Sequence, residues 1–247
     1  MEKYYIDLNC DVGEGIGHEA QLFPLISSCN IACGGHAGDA STMHMVVRLA
    51  KKHQLKIGAH PSYPDKENFG RISMDIGDTD LLESIQEQIE LLRSISKKEN
   101  IDLYHIKPHG ALYNDVAKSE KLASLFLKAI EKYKKELFLY VPYASVIEKL
   151  AFVKGYKIKR EAFADRNYND DLTLVSRREE NALITEPSLV LKHVVNMVTH
   201  NLVKTVSLKK KAIKADTYCI HGDTPSALQI LTYLSKELPN YNCFVKK

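Results

Sequence analysis

The sequence has no tryptophan, and its five cysteines form no CxxC motif. An odd cysteine count without paired spacing argues against a disulfide framework, a zinc knuckle and a thioredoxin-like redox motif. Lysine and arginine total 34 against 31 acidic residues, an excess too small to favour nucleic acid or membrane binding. The N-terminal stretch MEKYYIDLNCD lacks the charged and apolar regions of a signal peptide, so we expect a cytoplasmic protein with buried free thiols.

Several common catalytic motifs are also missing. There is no GxxxxGK[ST] P-loop, and GEGIG at positions 13–17 does not have the spacing of GxGxxG. There is no GxSxG nucleophile elbow, which argues against a serine hydrolase. There is no HExxH motif, so the sequence signal for a catalytic metal is weak.

A repeated pattern is present instead: a short apolar run ends in polar and glycine residues, and a helix-period stretch follows. Strands that alternate with helices in this way predict a parallel sheet covered by helices. The seven runs are YYIDLNCDVGEG, SCNIACGGHAGD, LKIGAHPSY, LYHIKPHGALYN, LFLYVPYAS, YKIKREAFADR and DTYCIHGDTPSA. Because every run carries polar residues at its C-terminal end, a closed barrel with one mouth is favoured over an open sheet. We therefore predict an α/β fold, one irregular (βα)7 barrel domain over residues 1–247.

Capping residues and prolines predict where helices begin. The predicted starts are Asp39, Thr79 or Asp80, Ser119, Pro187 with Ser188, and Thr224 followed by Pro225. The segment 165–186 is predicted to be a long loop after the sixth strand, and no linker divides the chain.

The predicted strand ends carry titratable side chains. They are Asp11 and Glu14 on the first strand, His36 and Asp39 on the second, His60 on the third, Lys107 and His109 on the fourth, Glu161, Asp165 and Arg166 on the sixth, and His221 and Asp223 on the seventh. A single buried histidine is more often structural, but four at equivalent strand ends favour catalysis. Carboxylates and imidazoles serve proton transfer, and a buried lysine can stabilise negative charge. An Asp-His-His set with open positions for a divalent metal remains an alternative.

The stretches DLNCDVGEG, NIACGGHAGD, GAHPSYPD, HIKPHGALYN and FADRNY, followed by LVSR and HGDTP, together resemble the LamB/YcsF family, the A subunits of 5-oxoprolinase. The resemblance implies a barrel of the glycoside hydrolase/deacetylase type with seven strands. It also implies ATP-dependent opening of 5-oxo-L-proline (pyroglutamate) to L-glutamate together with partner subunits B and C. Since this chain has no P-loop, ATP is expected either on a partner or at an unfamiliar site here.

The family motifs imply two sets of site residues. The catalytic set is Asp11, His60, Lys107, His109, Glu161 and Asp165. The substrate-binding set is Asn9, His36, Arg71, Arg166, His221 and Asp223. As roles we expect Asp11 or Glu161 to be the general base, Lys107 and His109 to stabilise the oxyanion or phosphate, and Arg166 with His36 to bind the substrate carboxylate.

The sequence leaves alternatives both for the role of single residues and for the function of the chain. Asp165 beside Arg166 is equally well explained as an ion pair that fixes a loop. The chain departs from the usual family pattern at Gly35, Asn68 and Ile72, which affects fine substrate contacts. Two other functions are consistent with the same residues, namely a metal-dependent deacetylase or polysaccharide hydrolase, and a non-catalytic subunit of the complex. Whether a divalent metal is used is left open by the sequence.

Overall fold

The computed structural model describes residues 2–247, and its centre is a closed barrel of parallel strands. The barrel strands are β2 (Leu8–Val12), β3 (Ser28–Ala32), β4 (Lys56–His60), β5 (Leu103–Ile106), β6 (Phe138–Pro142), β7 (Lys157–Phe163) and β10 (Thr217–Ile220). They pair in chain order from β2 to β7, and β10 closes the barrel by pairing with both β7 and β2. The seven predicted runs and the barrel fold are thus confirmed.

Helices cover the outside of the barrel. They are α1 (Glu19–Leu22), α2 (Ala40–Lys52), α3 (Asp78–Lys98), α4 (Gly110–Lys118), α5 (Glu120–Ala129), α6 (Val146–Val153), α7 (Pro187–His200) and α8 (Ala227–Glu237). Short 3-10 helices lie at Phe23–Leu25, Glu131–Tyr133 and Leu238–Tyr241. Within residues 2–247, no helix is both long enough and apolar enough to cross a membrane.

The predicted helix starts are mostly right. The side chains of Asp39 and Ser119 accept hydrogen bonds from backbone amides in the first turns of α2 and α5, and Pro187 begins α7. The predicted cap of α3 was two or three residues late, because Gly77 is the N-cap and the helix begins at Asp78. The prediction for α8 was early, because the Thr224 hydroxyl donates to Asp165 and does not cap the helix, which begins at Ala227.

Four short strands were not predicted as separate elements, although β1 lies within the first predicted run, YYIDLNCDVGEG. β1 (Tyr4–Ile6) pairs with β11 (Cys243–Val245) in parallel, and β8 (Leu202–Lys204) pairs with β9 (Lys210–Ala212) as a hairpin. Each has only three residues, which is too short for an alternating pattern to be recognised. The segment 165–186 is a long connection held by two isolated bridges, as expected.

The inside of the barrel is a network of polar side chains. The Asn9 amide donates to Glu161 Oε1 at 3.0 Å, and the Asn30 amide donates to Asn9 Oδ1 and to Asp11 Oδ1, both at 2.7 Å. Asn30 Oδ1 in turn lies 2.6 Å from His105 Nε2. All five side chains are buried, so the hydrogen bonds compensate for the loss of water. This network forms the floor below the strand ends.

Candidate active site

The Lys107 ammonium group lies at the centre of the strand ends. Strand β5 ends at Ile106, and the Lys107 backbone amide donates to the Ala59 carbonyl at 2.9 Å, so Lys107 stands just above the barrel floor. Its Nζ lies 2.9 Å from Asp11 Oδ1 and 3.0 Å from Glu161 Oε1. Burial acts to lower the pKa of Lys107, but the nearby Asp11 and Glu161 charges outweigh it and hold that pKa well above its usual value. The lysine is therefore a permanent buried cation.

Asp11 is correspondingly held as an anion. Burial alone would raise the pKa of Asp11, but His60 and Lys107 lower it well below its usual value. Its Oδ1 accepts hydrogen bonds from Lys107 and Asn30, and its Oδ2 lies 3.4 Å from His60 Nε2. A carboxylate stabilised in this way is a weak base near neutral pH.

Three histidines are packed together beside Asp11. The His36 and His109 rings are stacked, with centroids 3.6 Å apart, and His60 meets both of them edge to face. Burial is the largest cause that lowers the pKa of His36 and of His109 well below the usual value. Both rings are therefore neutral imidazoles at physiological pH.

Glu14 joins these histidines. Its Oε1 lies 3.0 Å from His36 Nε2 and 3.4 Å from His109 Nδ1, and burial followed by the Asp11 charge raises the pKa of Glu14 well above its usual value. Glu14, His36, His60 and His109 each place one ligand atom within 4.8 Å of the others. A second such set is Asp11, Cys219 and His221. Both sets contain the donor types that hold divalent cations.

Asp165 pairs with His221 and not with the neighbouring Arg166. The Asp165 carboxylate accepts from the His221 Nδ1–H at 3.0 Å, the His221 backbone amide at 3.0 Å and the Thr224 hydroxyl at 2.6 Å. Burial raises the pKa of Asp165, but these partners together lower it to about 2. The Arg166 guanidinium instead donates to backbone carbonyls of the 165–186 loop at Val175 and Ala182. Asp165 therefore fixes the orientation of an imidazole.

A cleft of about 620 Å³ opens above this floor. Lining residues from the predicted set are Asp11, His60, Arg71, Lys107, His109, Arg166 and His221. Arg177 and Arg178 add positive charge to the wall, while Asp223 forms ion pairs with Arg71 and Arg177 at the rim. The cleft is thus mainly cationic and suits a small anion.

The other predicted site residues lie outside the lining of this cleft. Asn9 and His36 are buried behind it, where they contact Glu161 and Glu14. Glu161 faces a side cavity of about 100 Å³ that shares Tyr113 and Phe163 with the main cleft. Its Oε2 has no hydrogen-bond partner among residues 2–247.

The positions that depart from the family pattern lie around the same cleft. Asn68 and Ile72 line it. Gly35 packs so closely against Ser62 and Gln88 that a Cβ atom there would overlap both side chains. A larger residue at position 35 would therefore require these neighbours to move.

Three residues at the site were not predicted from the sequence. Tyr113 lines both cavities, and Arg177 reaches Asp223 from the 165–186 loop. Cys219 Sγ lies 3.1 Å from Lys107 Nζ, where burial and Asp11 raise the pKa of the thiol well above its usual value. The only available signal for Cys219 was its alternation with His221 on one strand, which places both on the same face.

Similarity to known proteins extends over the whole chain. The sequence model of the LamB/YcsF family matches residues 6–247. The A subunit of 5-oxoprolinase from Clostridium beijerinckii is 39% identical, over 97% of this chain and 96% of that protein. The A subunit of 5-oxoprolinase from Pyrococcus horikoshii is 38% identical, over 94% of this chain and 93% of that protein.

Solved structures agree with the fold. The lactam utilization protein from Thermus thermophilus superposes with a TM-score of 0.91 at 33% identity, covering 98% of this chain and 99% of that one. The T48 deacetylase has a TM-score of 0.50 at 10% identity, covering 99% of this chain and 87% of that one, which shows a shared barrel fold alone.

Proposed function

The chain belongs to the LamB/YcsF family, and we propose that it is the A subunit of an ATP-dependent 5-oxoprolinase. In this proposal it opens 5-oxo-L-proline to L-glutamate together with subunits B and C. The observation that carries the proposal is the near-complete coverage of relatives that bear this name, combined with a buried Lys107 at the base of a cationic cleft. A five-membered lactam is a stable amide, so ATP is needed to activate its oxygen.

The arginines of the cleft wall are proposed to bind the substrate carboxylate and the phosphate of the activated lactam. Arg71, Arg166 and Arg177 line the cleft from different loops. Guanidinium groups bind such anions in a bidentate manner, which also fixes their orientation. The expected partnership of Arg166 with His36 is revised, because the His36 ring lies behind His109.

His221 is proposed to be the general base, in place of Asp11 or Glu161. Its Nδ1–H is held by Asp165, so in the neutral ring Nε2 carries the lone pair, and the residue lines the cleft. Asp11 and Glu161 are both engaged by Lys107. His221 would take a proton from the water that attacks the phosphorylated lactam carbon and return it to the ring nitrogen as the C–N bond breaks. This opening leaves an acyl phosphate, which a second water hydrolyses to L-glutamate and phosphate.

Lys107 is proposed to stabilise the negative charge of the phosphate carried by the activated lactam oxygen. Its ammonium is fixed by two carboxylates before the substrate arrives, so no reorganisation is required during the reaction. His109 lines the cleft next to it and would contact the same oxygen or its phosphate.

Nucleotide is proposed to bind mainly on the partner subunits, since the sequence has no P-loop. We also place the protein in the cytoplasm. All five cysteines are free and buried, which fits a reducing compartment.

The test is reconstitution of the three subunits, with measurement of 5-oxoproline consumption and ADP release. His221→Ala is expected to lower kcat by about 100-fold or more. His200→Ala, at the exposed end of α7, is the matched control and should leave turnover unchanged. Unchanged turnover in His221→Ala would refute the assignment of the base, and no glutamate from the wild-type assembly would refute the function.

A metal-dependent deacetylase or polysaccharide hydrolase is the second candidate, which the cluster of Glu14 with three histidines favours. This candidate predicts deacetylation or glycan hydrolysis by the isolated chain, with no need for ATP. A non-catalytic subunit would instead support full turnover of the complex after His221 and Lys107 are replaced.

A further inference from the structure

We propose that His60 Nε2, His109 Nδ1 and Glu14 Oε1 form a binding site for one divalent transition-metal ion, with an open position toward the cleft. The proposal depends on the geometry of the imidazoles and is independent of which reaction the cleft performs.

The tautomers of two histidines follow from their carbonyl partners. His60 Nδ1 lies 2.8 Å from the backbone oxygen of Lys107, and His109 Nε2 lies 3.0 Å from the backbone oxygen of Phe69. A carbonyl oxygen only accepts hydrogen bonds, so each of these ring nitrogens must carry the proton. In neutral rings, His60 Nε2 and His109 Nδ1 therefore both have lone pairs.

These two lone-pair nitrogens face each other at 3.0 Å. Two acceptors at this distance repel each other unless a metal cation or a shared proton lies between them. Metal-bound histidines typically donate their second ring N–H to a carbonyl or carboxylate, which is the arrangement seen for both His60 and His109. The pair is thus oriented as metal ligands are.

Carboxylate oxygens complete the site. Glu14 Oε1 lies 3.4 Å from His109 Nδ1 and 4.0 Å from His60 Nε2, and Asp11 Oδ2 lies 3.4 Å from His60 Nε2. A tetrahedral ion with bonds of 2.0–2.1 Å separates its ligand atoms by roughly 3.3 Å. The observed separations lie close to this value, so an ion requires only small side-chain movements.

His36 is assigned a positioning role at this site. Its ring is parallel to that of His109 within 2°, so the in-plane lone pairs of the two rings do not converge on one point. His36 Nε2 lies 3.0 Å from Glu14 Oε1 and can donate to it, which orients the carboxylate. Donors that hold a ligand in this way raise metal affinity without touching the ion.

The donor set indicates the class of metal. Two imidazole nitrogens and one carboxylate favour zinc, cobalt or manganese, whereas magnesium and calcium prefer oxygen ligands throughout. Because Asp11, His60 and His109 all line the cleft, the fourth position faces the space that a substrate or water would occupy. Three protein ligands and one open position are typical of catalytic sites.

The test uses the full-length chain, stripped with chelator and titrated with zinc by calorimetry and with cobalt by visible absorption. The wild type is expected to bind one metal ion per chain. With cobalt, it should show the intense visible absorption bands of an ion with a low coordination number. His60→Ala and His109→Ala should each abolish this binding, and His36→Ala should weaken it by about 10–100-fold. His200→Ala is the matched control and should bind as the wild type does.

Circular dichroism of each variant separates loss of a ligand from loss of the fold, and the wild-type titration is decisive even if a variant does not fold. No stoichiometric binding by the wild type would overturn the proposal and would mean that a shared proton joins His60 and His109. Binding that persists in both folded alanine variants would overturn it as well. Neither result bears on 5-oxoproline turnover, which is measured separately.

Discussion

Replacing Lys107 with methionine is expected to destabilise the protein strongly. The substitution keeps the length of the side chain but leaves Asp11 and Glu161 as two buried carboxylates without their common cation. Breaking a buried ion pair by removing one partner costs about 3–5 kcal/mol, because the remaining charge stays buried. In a chain of this size, such a loss lowers the melting temperature by roughly 6–20 °C.

Urea unfolding followed by circular dichroism at pH 7 measures this change. The double variant Lys107→Met with Glu161→Gln should recover part of the lost stability, since one of the two charges is removed. Lys121→Ala is the matched control, because the Lys121–Asp78 pair is exposed and should contribute little. A loss below about 1 kcal/mol in Lys107→Met would refute the view that a buried cation holds these carboxylates.

Three further predictions concern other parts of the structure. The pKa of Asp165 is lowered from 3.8 to about 2, so its carboxylate stabilises the fold by about 2 kcal/mol above about pH 4. This contribution is lost as the pH falls through 2, and acid unfolding of Asp165→Asn should lack it. Gly58→Ala should cost about 1–3 kcal/mol in urea unfolding, because its Cβ would overlap the His105 ring. Arg71→Ala should raise the KM for 5-oxoproline more than it lowers kcat, since Arg71 lies at the rim with Asp223; an unchanged KM would argue against an anion contact.

The barrel was predictable because its strands share a simple signal. Each barrel strand is an apolar run that ends in polar residues, and closure of the barrel brings those ends together. Asp11, His60, Lys107 and His109 could therefore be placed at one mouth from the sequence alone, and they line one cleft in the structure. Strand β11 was not predicted and β1 was not separated from β2, because three residues are too few to show a period.

The partners of individual side chains could not be predicted, because they depend on distances across the fold. From the sequence, an ion pair with the neighbouring Arg166 was one of two explanations for Asp165, yet its carboxylate contacts His221, 56 residues away. Asn9 lies within a family motif, but its amide points to Glu161 inside the barrel and away from the cleft. Sequence spacing does not report these directions, so the roles of such residues emerge only from the folded structure.

The polar floor of the barrel has a consequence for the evolution of this protein. In many barrels the interior is filled by aliphatic side chains that can be exchanged one at a time. Here Asn30 donates to Asn9, Asn9 donates to Glu161, and Glu161 contacts Lys107, so a single replacement leaves a buried partner without a hydrogen bond. New specificities are therefore expected to arise through the surrounding loops, while the floor changes only when several residues change together.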